Sequence, residues 1–495
     1  MKQGWRIAGG SIFSFALFIL GGCQPATVSN INTAAPTNAG APTPALSATP
    51  AAKTTTTSAN NLPVTLPVLD ALFADEKFAT DLKSQMQLTD EEIKRLRTVA
   101  REETASLRET ETGEHSGTTT AAAARAGEKM KDVLGDERAT RFSEFVRARW
   151  ASGDESGVGT AGASGAVATS GAVANTTTMP NAVPTDTRIV VNAPAYRMDV
   201  FERGQLVKTY KIGIGYPEFP LPTGLRTARS LIFNPTWTPP DEPWVESPNS
   251  KVKVGEKVAA GSPLNPLGPI KIPIGLPSLI HGGKSQAKLG GFASHGCVGL
   301  TNQQVQDVAR LMAQIGGAQL TEADMATYAK NRTETKEIKL ETPVAVELRY
   351  ETIVVEDGKL HIYRDVYDRG ENTEENLRAV LQANGVSLDD LSEAERAKVL
   401  TALKQMARDA TGNPADGQPD ASPSPTPASA NKNAKKTTEA AVEGKVTRTI
   451  KGQKEIVIEI AALKGKGYPA PVAFDTGGGS AVKKSAVGAT AKKSR

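Results

Sequence analysis

Histidine and cysteine are scarce in this chain: among 495 residues there are four histidines and two cysteines. Aromatic residues make up only 5% of the sequence, and long tracts lack the large apolar side chains that a core needs. The folded fraction is therefore well below the full length. The chain also lacks a large excess of positive or of negative charge. The net charge is +4 with both signs mixed through most of the chain, which argues against nucleic acid as a partner.

The first 23 residues have the layout of an export signal. Lys2 and Arg6 precede a short apolar core at 12–20, which is too short for an ordinary membrane span. The core ends in "LGGC", which resembles a bacterial lipobox and implies lipidation of Cys23; a plain signal peptide with a stray cysteine is the alternative. By resemblance to lipoprotein sorting rules, Gln24 rather than Asp in the next position favours the outer membrane, if the host has one. The resemblance implies a chain in the cell envelope that is held to the membrane by a lipid anchor and faces the periplasm.

Lipidation of Cys23 leaves Cys297 as the other thiol, without a partner for a disulfide in an oxidising compartment. A buried, inert thiol is the ordinary fate of a free cysteine. Two histidines, His281 and His295, nevertheless lie within sixteen residues of it. These neighbours favour a functional thiol.

Composition and periodicity divide the rest of the chain into folded and low-complexity parts. A helical pattern with a capping-box-like start at Thr89 predicts a small hairpin or bundle without catalytic residues. Short β-branched runs predict a compact β sandwich or barrel from Arg188, including a hairpin around Arg203 and Gly204. The predicted segments are a flexible tether (24–61), a helical module (62–150), a linker (151–187), a β domain (188–370) with a helical insertion (318–341), a helical segment (371–410) and a low-complexity basic tail (411–495).

The stretch "LIHGGKSQAKLGGFASHGCVGL" at 279–300 holds the candidate chemistry. A catalytic thiol needs an imidazole, a nearby positive charge or helix start, and backbone donors for an oxyanion. The helix predicted from "TNQQVQDVARLMAQIGG", capped at Thr301 or Asn302, begins just after Cys297 and is expected to help lower the thiol pKa. A zinc site built from His281, His295 and Cys297 is a rival interpretation.

"IHGG" followed by "SHGCVGL" resembles the active-site signature of L,D-transpeptidases of the YkuD or ErfK type. "LPTG" at 221–224, "NPTWTPP" at 234–240 and "NPLGP" at 265–269 are similar to further landmarks of that family. The resemblance covers residues 188–316 and 342–369, and it implies a mainly β, sandwich-like catalytic domain that acts on peptidoglycan stem peptides without a cofactor or a metal. It also implies the roles of particular residues: a nucleophile (Cys297), a proton acceptor and donor (His281), a residue that shapes the site (His295), and a substrate or oxyanion loop (Ser294, Gly296, Gly282).

The sequence departs from the family pattern at Gly299, where members commonly have Arg or Asn, and at "HGG", which lacks a hydroxyl residue. Three functions remain open. The first is a transpeptidase that joins stems, or attaches an acceptor protein, through a thioester. The second is a carboxypeptidase or endopeptidase in which water resolves the same thioester. The third is a peptidoglycan-binding lipoprotein that has lost catalysis.

Overall fold

The computed structural model describes 62–106, 114–115, 119–152, 179–239, 245, 250–410, 412, 446–447 and 449–477. The predicted export signal with Cys23, the tether, most of the linker and most of the tail lie outside the described residues. Within the described residues, no helix has both the length and the apolar character to cross a membrane.

The helical module is a bundle with its own apolar core. Its described helices are α1 (Leu66–Phe73), α2 (Glu76–Met86), α3 (Asp90–Ser106), α4 (Thr119–Leu134) and α5 (Asp136–Ser152), with a two-residue strand, β1 (Glu114–His115), before α4. The predicted capping box opens α3, since Thr89 and Glu92 each bond the backbone N–H of the other. The side chains that fill the centre are fully buried: Phe78, Leu82, Leu96, Met130, Phe142 and Val146.

Eight of the described strands form one sheet, in the order β10-β8-β7-β6-β11-β2-β3-β4. A separate pair, β5 and β9, runs parallel beside it. The strands are β2 (Arg188–Asn192), β3 (Arg197–Glu202), β4 (Gln205–Lys211), β5 (Ile214–Gly215), β6 (Gly224–Phe233), β7 (Ile270–Pro273), β8 (Leu279–His281), β9 (Phe292–Ser294), β10 (Val298–Gly299) and β11 (Lys336–Arg349). The predicted fold class, a mainly β domain with an N-terminal helical module, is confirmed.

Local turn chemistry explains the hairpin between β3 and β4. Arg203 and Gly204 both have positive φ, 49° and 77°, which matches the two-residue turn that suits twisted strands. Glu202 pairs with Gln205 across this turn. The hairpin predicted around these residues is confirmed.

The sheet curls until its two ends meet. Gly213, just beyond β4, and Gly299 on β10 exchange two backbone hydrogen bonds, each 2.9 Å long. The helix α6 (Asn302–Ile315) packs its apolar face, including Val305, Val308 and Met312, into the enclosed core. As predicted, Thr301 caps α6 and Gly316 ends it.

The helical insertion predicted at 318–341 is wrong in extent. One helix, α7 (Glu322–Lys330), occupies its middle, and β11 already begins at Lys336. The first half of β11 pairs with β6 while most of its side chains stay exposed. The high charge of this exposed half is as compatible with a solvated strand as with a helix, which is why composition misled the prediction.

The C-terminal part forms a second β unit. The central strand β13 (Lys359–Tyr363) pairs with β12 (Ile353–Glu356) on one side and with β15 (Glu455–Glu459) on the other. The helices α8 (Glu374–Ala383) and α9 (Glu393–Met406) share the core of this sheet. A two-residue strand, β14 (Val446–Thr447), pairs with β1. Residues 353–363, which the prediction included in the β domain of 188–370, therefore lie outside the eight-stranded sheet, in a sheet with β15.

The prediction of a low-complexity tail from 411 is also wrong for residues 449–477. Beyond β15, Asp475 bonds the backbone of Thr209 and Lys211 at 2.9 and 2.8 Å, so this segment continues along the free edge of β4. The sequence of β15 is typical of a strand but does not identify its partner, because β13 lies almost a hundred residues earlier in the chain.

Candidate active site

Cys297 lies in a tight turn between β9 and β10, with its side chain partly exposed. Gly296 has a φ of 86°, a conformation that favours glycine. The Ser294 hydroxyl donates to the Cys297 carbonyl at 2.5 Å and accepts from the Cys297 N–H at 3.0 Å. From outside the turn, Ser278 Oγ donates to the Gly296 carbonyl at 2.8 Å. These bonds hold the thiol in one position.

His281 ends the neighbouring strand β8 and is 3% exposed. Its Nδ1 lies 2.7 Å from the Gly282 carbonyl oxygen, which can only accept. This contact favours the neutral tautomer with its proton on Nδ1, which leaves Nε2 as a proton acceptor, and the backbone of Leu267 makes a further hydrogen bond to the ring. Burial, together with the positive charge of Lys284, lowers the pKa of His281 to about 3. The imidazole is thus neutral at physiological pH.

Strand register brings the thiol and the imidazole to one face of the sheet. β8 and β10 run parallel, with Val298 opposite Ile280 and Gly299 opposite His281. Continuation of this register places Cys297 opposite Leu279, two residues from His281 and on the same side of the pleat. The bond from the Leu300 N–H to the His281 carbonyl, 2.9 Å long, fixes the pairing.

The expected lowering of the thiol pKa is wrong. Burial raises the pKa of Cys297, and a backbone hydrogen bond from Leu279 and the Lys284 charge oppose this rise without cancelling it. The helix α6 begins five residues after Cys297, and its first turn is occupied by the Thr301–Gln304 capping box. Both groups are therefore uncharged at rest, which suits proton transfer at the moment of attack rather than a preformed ion pair.

His295 lies apart from this proton-transfer arrangement. Its ring contacts the edges of Tyr216 and Phe219, with centroids 5.2 and 4.8 Å away. These contacts fit a residue that shapes the site. Neither aromatic residue was identified from the sequence, because the segment between β5 and β6 has no periodic pattern that predicts its packing.

Residues 186–346 match the family model of the L,D-transpeptidase catalytic domain, YkuD. The match covers about a third of the chain, and we refer to these residues as the YkuD domain after the model that they match. The comparison with curated proteins returns no match.

Solved structures similar to this chain are L,D-transpeptidases. They include a cysteine-to-serine mutant of the Enterococcus faecium enzyme (16% identity, 33% of this chain and 50% of that chain, TM-score 0.22). They also include a Mycobacterium smegmatis enzyme (16% identity, 33% and 58%, TM-score 0.21) and Mycobacterium tuberculosis L,D-transpeptidase 3 (14% identity, 33% and 60%, TM-score 0.20). The chain covers about half the length of the first of these.

The glycines after His281 let two loops of the YkuD domain pack closely. A Cβ on Gly282 would lie 2.8 Å from Val305 Cγ1, and one on Gly283 would lie 2.3 Å from the Pro266 carbonyl oxygen. The Gly283 N–H donates to Asn302 Oδ1 at 2.8 Å. Close packing against "NPLGP" and α6 therefore explains "HGG" at this point.

The helical module contacts two segments that support the site. Thr65 Oγ1 and Thr119 Oγ1 donate to the carbonyls of Glu218 and Pro217 at 2.5 and 2.8 Å, in the segment that carries Tyr216 and Phe219. On β6, the buried Arg226 bonds the Trp150 carbonyl of α5 and the Gly275 carbonyl ahead of Ser278. The module, which was predicted to lack catalytic residues, thus supports loops of the YkuD domain.

The described residues do not contain the ligand geometry that a zinc site would need. No group of three or more His, Cys, Asp or Glu side chains in them is arranged to hold a metal ion. In particular, His295 packs between aromatic rings and His281 turns Nδ1 toward a backbone carbonyl.

Proposed function

We propose that this chain is a peptidoglycan L,D-transpeptidase in which Cys297 is the nucleophile and His281 the proton acceptor and donor. The proposal is supported by the pairing of β8 with β10, in which His281 lies opposite Gly299, two residues after the partly exposed Cys297, within the residues that match the YkuD model. The substrate is a stem tetrapeptide, and the reaction is acyl transfer in cell wall biogenesis and remodelling.

In the acylation step, Nε2 of His281 takes the thiol proton while Sγ attacks the carbonyl carbon of the third stem residue. The tetrahedral intermediate collapses as its C–N bond breaks, and D-alanine leaves with the proton from the imidazolium. The Cys297 N–H is already bonded to Ser294 Oγ. We therefore assign the oxyanion to the Gly296 side of the turn, where backbone donors are needed as negative charge develops.

In the second step, an acceptor amine attacks the thioester and passes a proton through His281 to the departing sulfur. The new amide replaces the broken one, so no external energy source is required. The amine belongs to a neighbouring stem, which gives a 3–3 crosslink, or to an acceptor protein. Lipidation of Cys23 and the 24–61 tether would hold the domain on the periplasmic side of the outer membrane within reach of the wall.

The test of catalysis uses the purified full-length chain with a tetrapeptide donor and an amine acceptor, followed by mass spectrometry. We expect the crosslinked product and free D-alanine from the wild type and no turnover from Cys297→Ala. Cys23→Ala, which removes the other thiol, is the matched control and should keep the activity in solution. Turnover by Cys297→Ala equal to wild type would contradict the proposal.

The same experiment separates the two other functions. Stem cleavage to the tripeptide with no acceptor product would identify a hydrolase. Ertapenem, named as the acylating agent of an E. faecium catalytic domain, is a suitable active-site probe. Sacculus binding without an ertapenem adduct on Cys297 would identify a binding module.

The proposed location has a separate test. The wild type should fractionate with outer membranes and carry a lipid on the Cys23 peptide, whereas Cys23→Ala should be soluble. An unlipidated wild type that is released from the cell would refute the anchor without affecting the proposal on catalysis.

A further inference from the structure

Gly299 leaves a space that another side chain fills. A Cβ built on Gly299 would lie 2.9 Å from Cγ, 3.5 Å from Cδ and 3.2 Å from Cε of Lys284. Three consecutive carbons of the lysine stem therefore run along this glycine. No side chain could be added at position 299 unless the lysine moved.

A backbone hydrogen bond fixes the position from which the Lys284 side chain starts. Lys284 lies shortly after β8, and its N–H donates to the Leu300 carbonyl at 3.0 Å, which continues the β8–β10 pairing beyond Gly299. Gly299 lies two residues after Cys297 on the same side of the strand. A stem that crosses Gly299 on that side brings the lysine to the thiol face.

The lysine is half-buried, and its charge acts on the reacting groups. The titratable groups that interact with Lys284 are Cys297, His281 and the neighbouring Lys288. No described carboxylate forms an ion pair with it. Burial lowers the pKa of Lys284, and the thiolate charge acts in the opposite direction.

We propose that Lys284 is the positioning cation of the active site: its stem lies across Gly299 so that its ammonium stabilises the thiolate that Cys297 forms during attack. Gly299 is then the residue that makes room for this cation rather than a loss of function. The inference deepens the proposed transpeptidase, yet it concerns thiol ionisation alone and can be tested without any stem peptide. Reactive cysteines elsewhere owe their thiolate to such positive surroundings.

The test measures the pH profile of iodoacetamide alkylation at Cys297, quantified by peptide mass spectrometry on the full-length chain. Lys284→Met keeps the stem length and removes the charge, and it should move the midpoint up by about one pH unit, so that alkylation below the midpoint slows several-fold. Lys284→Arg should restore the midpoint. Lys288→Met, an exposed lysine four residues on, is the matched control and should leave the midpoint within ~0.2 units of wild type.

A second variant protects the test against misfolding of Lys284→Met. Gly299→Ala should displace the lysine stem and shift the midpoint in the same direction, and adding Lys284→Met to it should cause no further shift. An unchanged midpoint in both single variants, or an equal shift in Lys288→Met, would overturn the proposal. Loss of transpeptidation with a normal alkylation profile would instead count against the proposed function.

Discussion

The helical module and the curled sheet differ in what they bury. The module has an apolar centre and also buries four polar side chains, none of which is a predicted site residue: Thr65, Asp70, Ser143 and Arg149. The sheet encloses an apolar core as well, but it also buries Arg226, His281 and Ser278 beside the candidate site. Apolar packing carries no chemistry, whereas each buried polar group of the sheet fixes the position of a loop. Mutations in the module should therefore change mainly stability, and mutations in the sheet should also change reactivity. Arg226 connects the two regions, because it bonds carbonyls in both.

The largest effect is expected from His281→Gln, which removes the proposed proton acceptor from the sheet. Acylation of Cys297 and turnover should fall about 10²- to 10⁴-fold. His361→Gln is the matched control: His361 is the histidine of β13 that bonds Glu455 at 2.6 Å, so its loss should leave the rate within about twofold. Single-turnover acylation by ertapenem measures both. Comparable losses in the two variants would show that the chemistry is not confined to the eight-stranded sheet.

Phe142→Ala should cost about 3 to 5 kcal/mol of unfolding free energy, because the fully buried ring leaves a cavity in the module. Calorimetry would show whether the two regions melt together. Since α5 is bonded to Arg226 of the sheet, we expect one transition that shifts down as a whole. A split profile, with the sheet transition unchanged, would contradict this coupling.

Acid should destabilise the sheet through His281. An unfolded histidine binds a proton near pH 6.5, whereas the folded His281, with a pKa of about 3, does not. The unfolded state therefore binds more protons between these values, and the unfolding free energy falls as pH falls, in total by about 5 kcal/mol. Urea unfolding across this range measures the slope, and His281→Gln should flatten it. An equal slope in that variant would assign the pH dependence to other groups.

Arg226→Met should cost about 2 to 3 kcal/mol, since it strands the carbonyls of Trp150 and Gly275 that the guanidinium bonds. The control is Arg229→Met, an exposed arginine on the same strand, which should change stability by about 0.5 kcal/mol or less. Urea unfolding compares the two. A slower alkylation of Cys297 in Arg226→Met alone would show that the module acts on the site through this residue.

Local features were predictable from the sequence, and long-range ones were not. The β3–β4 hairpin and the α6 boundaries depend on a few adjacent residues, such as Gly204 and Thr301, whose preferences are short-range. The direction of the Cys297 pKa shift depends on burial by the whole fold, and the partner of β15 lies far back along the chain. Lys284 was missed because its role depends on an empty position fifteen residues later.

The junction of Gly213 with Gly299 lies two residues past Cys297. The last bonds that close the sheet are thus made by the strand that presents the sulfur. A chain in which this junction has not formed has no fixed distance between sulfur and imidazole, and its thiol behaves like that of an ordinary unfolded peptide. Assembly of the proposed pair of sulfur and imidazole is in this way conditional on completed folding.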